Sequence, residues 1–153
     1  MRKATKRKVW YVRGSGLELA IAGATMTAQA DLDKLRLLEL SAIECFAKGN
    51  ATRMEFTHIA DMLNLTETFT TMNIGREAIP ACEALQAALI EIRDRHAATG
   101  RMGVTIANLD AMREVFAFQD AQRSAVDRST YERAIKLCAN RIRSAHPSRK
   151  VLA

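Results

Sequence analysis

This chain is short of the residues that interrupt helices, with two prolines and seven glycines in 153 residues. So few breakers leave little room for long irregular loops and favour helix. Aromatic residues make up only 5%, so a core has to rest on Leu, Ile, Ala and Met. Cysteine is limited to Cys45, Cys82 and Cys138, far apart and without a C-x-x-C pair. An odd, dispersed set argues against a disulfide framework and fits a reducing compartment. No uncharged apolar run approaches the roughly 18 residues of a membrane span. Catalytic signatures are missing too: there is no G-x-S-x-G elbow, no phosphate-cradling glycine loop and no H-E-x-x-H. Gly14-Ser15-Gly16 has too few glycines, and the wrong flanks, for a dinucleotide fingerprint.

What is present is charge, sorted into three blocks. Arg2, Lys3, Lys6, Arg7, Lys8 and Arg13 come with no acid among residues 1–13, and Arg133, Lys136, Arg141, Arg143, Arg149 and Lys150 come with none among residues 133–153. All seventeen acids lie between these ends, so the net charge of +6 belongs to a mildly acidic body with two basic ends. Dense basic ends favour a polyanionic partner, because each Lys or Arg that pairs with a phosphate releases a condensed counterion. The basic start followed by Ala28-Gln29-Ala30 resembles a signal-peptidase site. Arg13 and Glu18 interrupt the apolar region between, however, and Gly14, Gly16 and Gly23 dilute it. The reading is therefore a cytoplasmic protein with a basic arm.

Helical periodicity organises the rest into one domain. The expected division is a basic arm and hinge at 1–16, a single helical domain at 17–147 and a basic tail at 148–153. A short helix of small residues is expected at 17–26. An amphipathic helix follows at about 28–48, with Leu32, Leu35, Leu38, Ala42, Cys45 and Phe46 inward and Gly49 as its stop. Thr52-Arg53-Met54-Glu55 reads as a capping box, in which hydroxyl and carboxylate each satisfy a free N–H of the first turn. The helix it opens buries Phe56, Ile59, Ala60 and Leu63 and runs to about 72. Residues 76–98 form the next, with Pro80 in the first turn and Leu85, Ala88, Leu89 and Ile92 inward. Thr105 caps a helix carrying Leu109, Met112 and Phe116. Ser129-Thr130-Tyr131-Glu132 reads as a second capping box for a last helix that buries Ile135, Cys138 and Ile142. The expected fold is an all-α compact bundle of five to six helices.

Candidate chemistry is thin. Glu55 and His58 stand at i, i+3, half of a di-iron carboxylate motif, but neither His96 nor His146 has a Glu three residues before it. Neither a metal nor a cofactor is expected. The cysteines fall on apolar stripes, where a thiol packs as a small hydrophobe. Arg141, one turn from Cys138, could lower its pKa only if the thiol were partly exposed. An enzyme is not expected.

Binding has better support. Residues 56–66 can be written as the first half of a helix-turn-helix, with Asn64 taking the turn and Thr66 capping a recognition helix. The face so presented, residues 67–73, has no Lys or Arg and carries Glu67, so one uninterrupted helix over 52–72 is the preferred expectation. In the last helix Arg133, Lys136 and Arg143 fall on one side with Asn140 among them. In the arm, Trp10 and Tyr11 lie beside Lys8 and Arg13, and aromatic rings among bases can stack on nucleobases. The candidate contact residues are thus these and the remaining basic residues of the two ends. A bland alternative is a homo-oligomer built on apolar helix faces, with the basic ends serving assembly.

The segments Asp33-Lys34-Leu35-Arg36, Gly100-Arg101-Met102-Gly103, Tyr131-Glu132-Arg133-Ala134-Ile135 and Asn140-Arg141-Ile142-Arg143-Ser144-Ala145-His146-Pro147 together resemble a group of small proteins from phages and prophages of Gram-negative bacteria. The likeness covers most of the chain from about residue 20. It implies a cytoplasmic accessory protein of an infected or lysogenic bacterial cell, acting by binding on replication, transcription or a host defence complex. Inhibitors of nucleic-acid-guided defence belong to that class. The group has no catalytic residue to carry over.

Overall fold

The computed structural model describes residues 29–145. Five α-helices follow one another there: α1 (Gln29–Lys48), α2 (Arg53–Thr71), α3 (Ile79–Thr99), α4 (Ile106–Ala125) and α5 (Arg128–Arg143), with a 3-10 turn, Arg76–Ala78, ahead of α3. No strand occurs among the described residues, and the fold is the expected all-α bundle. The arm and hinge, the helix expected at 17–26, and the tail lie outside the described residues.

α2 is the axis of the bundle. Its start is fixed by Thr52, whose hydroxyl accepts from the Met54 N–H at 3.2 Å while Glu55 Oε2 accepts from the Thr52 N–H at 2.7 Å. From there α1, α3, α4 and α5 all pack on it, and nearly every residue from Phe56 to Thr70 is buried or half-buried. The helix runs unbroken through Asn64, which is fully buried. The helix-turn-helix reading is therefore corrected: Leu65 and Phe69 continue the apolar contacts, so no turn forms there. The left-handed residues come later, at Asn73 (φ 61°) and Gly75 (φ 63°). The left-handed backbone favours glycine at Gly75, and a Cβ there would lie 2.9 Å from Gln122 Nε2 and have to displace that side chain.

Thr105 caps α4 in a box with Asn108. The second expected capping box does not form. Asp127 caps α5 instead, its carboxylate accepting from the Thr130 N–H at 2.7 Å, and Glu132 turns outward to Arg128 at 3.0 Å. An aspartate two residues ahead of Ser129 is an equally good cap, and it starts the helix a half-turn earlier.

The apolar interior has two parts. The larger joins Phe46 of α1, Phe56, Ile59 and Leu63 of α2, Leu85, Leu89 and Ile92 of α3, and Met112 and Val115 of α4. The smaller clamps α5 onto the far end of α2 through Leu65, Phe69, Tyr131, Ile135, Cys138 and Ile142. The inward stripe of α1 differs from expectation. Ala42 and Phe46 are buried, but Leu38 points outward and Glu39 takes the inward position beside Arg123 of α4.

Candidate nucleic-acid interface

One face of α5 is spoken for by Tyr131, Ala134, Ile135, Cys138 and Ile142, which are buried. That fixes what the opposite face presents. Arg133, Lys136, Asn140 and Arg143 are all exposed and recur at steps of three and four residues, so they form one stripe about 15 Å long at the helical rise of 1.5 Å per residue. Ser129, Leu137 and Ser144 lie exposed on the same side. Glu132, one turn before Lys136, borders the stripe, half-buried and paired with Arg128 at 3.0 Å. Within it Arg143 donates to Asn140 Oδ1. Three cations and an amide on a rigid, well-packed helix can meet phosphate oxygens and base edges, the two kinds of group that protein–nucleic acid contacts use.

Arg141 does not join them. Its guanidinium enters the bundle, donating to Thr68 Oγ1 at 2.6 Å and the Asn64 carbonyl at 3.3 Å, with Glu67 Oε2 at 3.4 Å. It neutralises a buried carboxylate and holds α5 to α2, so it is removed from the candidate contact residues. Of the sequence candidates, the structure brings together Arg133, Lys136 and Arg143. Arg2, Lys3, Lys6, Arg7, Lys8, Trp10, Tyr11, Arg13, Arg149 and Lys150 lie outside the described residues.

A polar layer at the level of α2's second half was not anticipated. Arg123 Nη2 donates to both oxygens of Glu39, at 2.8 and 2.7 Å, with side-chain exposures of 5% and 10%. Burial raises the Glu39 pKa above its usual value despite the opposing guanidinium. Arg123 Nε and Nη1 and the Tyr131 hydroxyl have no hydrogen-bond partner among the described residues, and burial pushes the Tyr131 pKa up to about 12. Nearby the Thr66 hydroxyl meets Gln119 Oε1 at 2.7 Å, and Gln122 Nε2 reaches the Ile74 carbonyl at 3.1 Å. The pairs link residues 84 and 74 apart in sequence, and no local pattern announces such partners.

The remaining candidates resolve into structure. Among the described residues no group of three or more His, Cys, Asp or Glu is placed to hold a metal ion. Glu55 is engaged as the α2 cap, and burial lowers the His58 pKa. Cys82 and Cys138 are buried and Cys45 is half-buried. Burial pushes the Cys138 thiol up to about 12, outweighing both the Thr68 hydrogen bond and Arg141. No helix among the described residues is long and apolar enough to cross a membrane. Set against family models, curated proteins and solved structures, the chain matches none of them.

Proposed function

We propose that this chain is a non-enzymatic accessory protein that binds nucleic acid, alone or within a nucleoprotein complex, through the exposed face of α5. The single observation behind this reading is the exposed basic stripe Arg133–Lys136–Asn140–Arg143 on a helix whose other face is fixed in the bundle. Such a face gains affinity by displacing counterions from phosphates. Its arginines and asparagine suit the edges of guanine and adenine in a major groove. The bases at the two chain ends would add to the same electrostatic attraction. Together with the resemblance to small phage and prophage proteins, the reading is of a protein made in the bacterial cytoplasm that acts on host replication, transcription or nucleic-acid-guided defence.

The test is binding to a labelled duplex over a series of salt concentrations. Replacing Arg133, Lys136 and Arg143 by Gln should weaken binding and flatten the log–log salt slope by up to about 2.7, since each lost phosphate contact removes roughly 0.9 on B-DNA. Melting should be unaffected, because all three are exposed. Arg141→Gln serves as the counterpart. It should lower stability by about 1–3 kcal/mol by removing the hydrogen bonds to Thr68, the Asn64 carbonyl and the buried Glu67 and leave the slope nearly unchanged. An unaltered slope in the triple variant would exclude α5 as the contact face.

A further inference from the structure

An uncharged side chain stands in the middle of the open face of α5. From Arg133 onward the exposed residues of the helix are Arg133, Lys136, Leu137, Asn140 and Arg143. At about 100° per residue they span an arc of about 120°, and Asn140 is at its centre. Lys136 and Arg143 lie to one side of it, Arg133 and Leu137 to the other. Arg143 donates to Asn140 Oδ1. A guanidinium can only donate, so this contact fixes which end of the amide is the acceptor. The Nδ2 hydrogens and the second lone pair of Oδ1 are left for a partner. Contacts with phosphates alone would be served by cations throughout; an amide in the middle asks for something else.

We infer that the partner of this face is double-stranded DNA, entered through its major groove, with Asn140 reading an adenine. The inference rests on the reading of α5 as a nucleic-acid contact face and names what that face reads. The major groove is about 12 Å wide and admits one helix about 10–12 Å across. A helix lying in it turns the middle of its open face to the base edges and its sides to the phosphates of the two strands. The side chains of α5 come in that order, with the amide in the middle and cations on both sides of it. Asn140 Nδ2 then donates to adenine N7 while Oδ1 accepts from the N6 amino group, a pairing that asparagine makes with this base and no other. Leu137, one turn before Asn140 and 38% exposed, adds an apolar contact of the kind a thymine methyl takes.

Other nucleic acids fit this face less well. Single strands are held by aromatic rings on which the bases stack. The face has none, since Tyr131, the one aromatic residue of α5, is buried. Duplex RNA presents a major groove too deep and narrow for side chains to read. Access to a groove is open as well, because α5 packs mainly on α2 and so lies at the margin of the bundle.

The experiment selects sites for the full chain from a DNA duplex library with a randomised centre, then measures affinity for the selected site. An adenine should be enriched at one position. Changing that base pair to G·C, or Asn140→Ala in the protein, should each weaken binding by about tenfold or more. Both changes together should cost no more than one alone, because they remove the same contact. Asn140→Ala should leave the salt slope as it was, since the amide neutralises no phosphate. Helix content should also be unchanged, Asn140 being exposed. The inference is overturned if no sequence is enriched, or if the base change and Asn140→Ala act independently. It is overturned equally if single-stranded DNA or duplex RNA competes as well as duplex DNA. In each of these cases a salt slope still set by Arg133, Lys136 and Arg143 leaves α5 standing as the contact face. No binding at all, or a slope indifferent to those three, overturns both.

Discussion

Arg123→Met isolates what the buried ion pair contributes. Arg123 donates to both oxygens of the Glu39 carboxylate, and both side chains are almost wholly out of solvent. Removing the cation leaves a carboxylate buried and uncompensated, which costs about 3–5 kcal/mol. A domain of this size holds about 5–15 kcal/mol in all. With an m-value near 2 kcal/mol/M in urea, the unfolding midpoint should fall by about 2 M. The double variant Glu39→Leu, Arg123→Met behaves differently. The native pair is poorly satisfied, since Arg123 Nε and Nη1 and the Tyr131 hydroxyl find no acceptor or donor among the described residues. Replacing both charges by apolar groups should then be neutral or gain about 1–4 kcal/mol. The four proteins form a double-mutant cycle with a large coupling. A double variant less stable than either single one would refute the reasoning.

The same pair makes a pH prediction whose sign is unusual for a glutamate. The folded Glu39 pKa stands above its unfolded value because burial penalises the carboxylate. A carboxyl shifted upward binds its proton more tightly in the folded state, so its favourable contribution is complete below the unfolded pKa and is lost as pH rises through the folded one. In Arg123→Met the guanidinium no longer opposes burial, and the upward shift grows. The stability gap between this variant and the wild type should therefore narrow as pH is lowered from 7 towards 4.5. A gap that is constant or widens over that range means that Glu39 is not the group left exposed to the loss.

Thr52→Ala should cost about 0.5–2 kcal/mol in thermal or urea unfolding, because it removes the acceptor for the Met54 N–H. Asp127→Ala should lower the melting temperature where Ser129→Ala does far less, since Asp127 holds the α5 cap; the Asp127 pKa is lowered by the Thr130 hydrogen bond, so the cap's contribution is present above the usual carboxylate range and is lost as pH falls through the depressed value. Alkylation at mildly alkaline pH should label Cys45 first and reach Cys82 and Cys138 only on unfolding, as their burial dictates; rapid labelling of Cys138 in the folded protein would contradict its inward placement.

How much of this could be read beforehand depends on the range of the interaction. Helix existence is set within a few residues, so α2 to α5 were visible in the spacing of Phe56, Ile59 and Leu63, of Leu85, Leu89 and Ile92, and of Ile135, Cys138 and Ile142. The Thr52 cap was visible for the same reason. The α5 cap was misplaced because Asp127 and Ser129 are both good acceptors within one turn, and only the geometry of Val126 and Asp127 decides between them. The α1 stripe was misread because Leu35, Leu37, Leu38 and Leu40 offer leucine in almost every direction, so periodicity alone cannot select a face. What selects it is Arg123, far along the chain, which draws Glu39 inward.

The candidate interface follows the same division. That Arg133, Lys136 and Arg143 share a face is a property of the helix and was legible. That Arg141 does not belong with them was not. Two positions before Arg143 and three after Cys138, it lies at the boundary between the packed and the open face, where either outcome satisfies helical geometry. The decision falls to α2. That helix is surrounded by the bundle yet carries Asn64, Glu67 and Thr68 in its second half, all buried. A carboxylate there needs a cation, and Arg141 is the base close enough to supply one. Counting bases at the end of a chain therefore overestimates what is available to a partner whenever the helix beneath carries a buried acid. In this protein, the acid on α2 that argued against a DNA-reading turn is the one that takes an arginine out of the surface of α5.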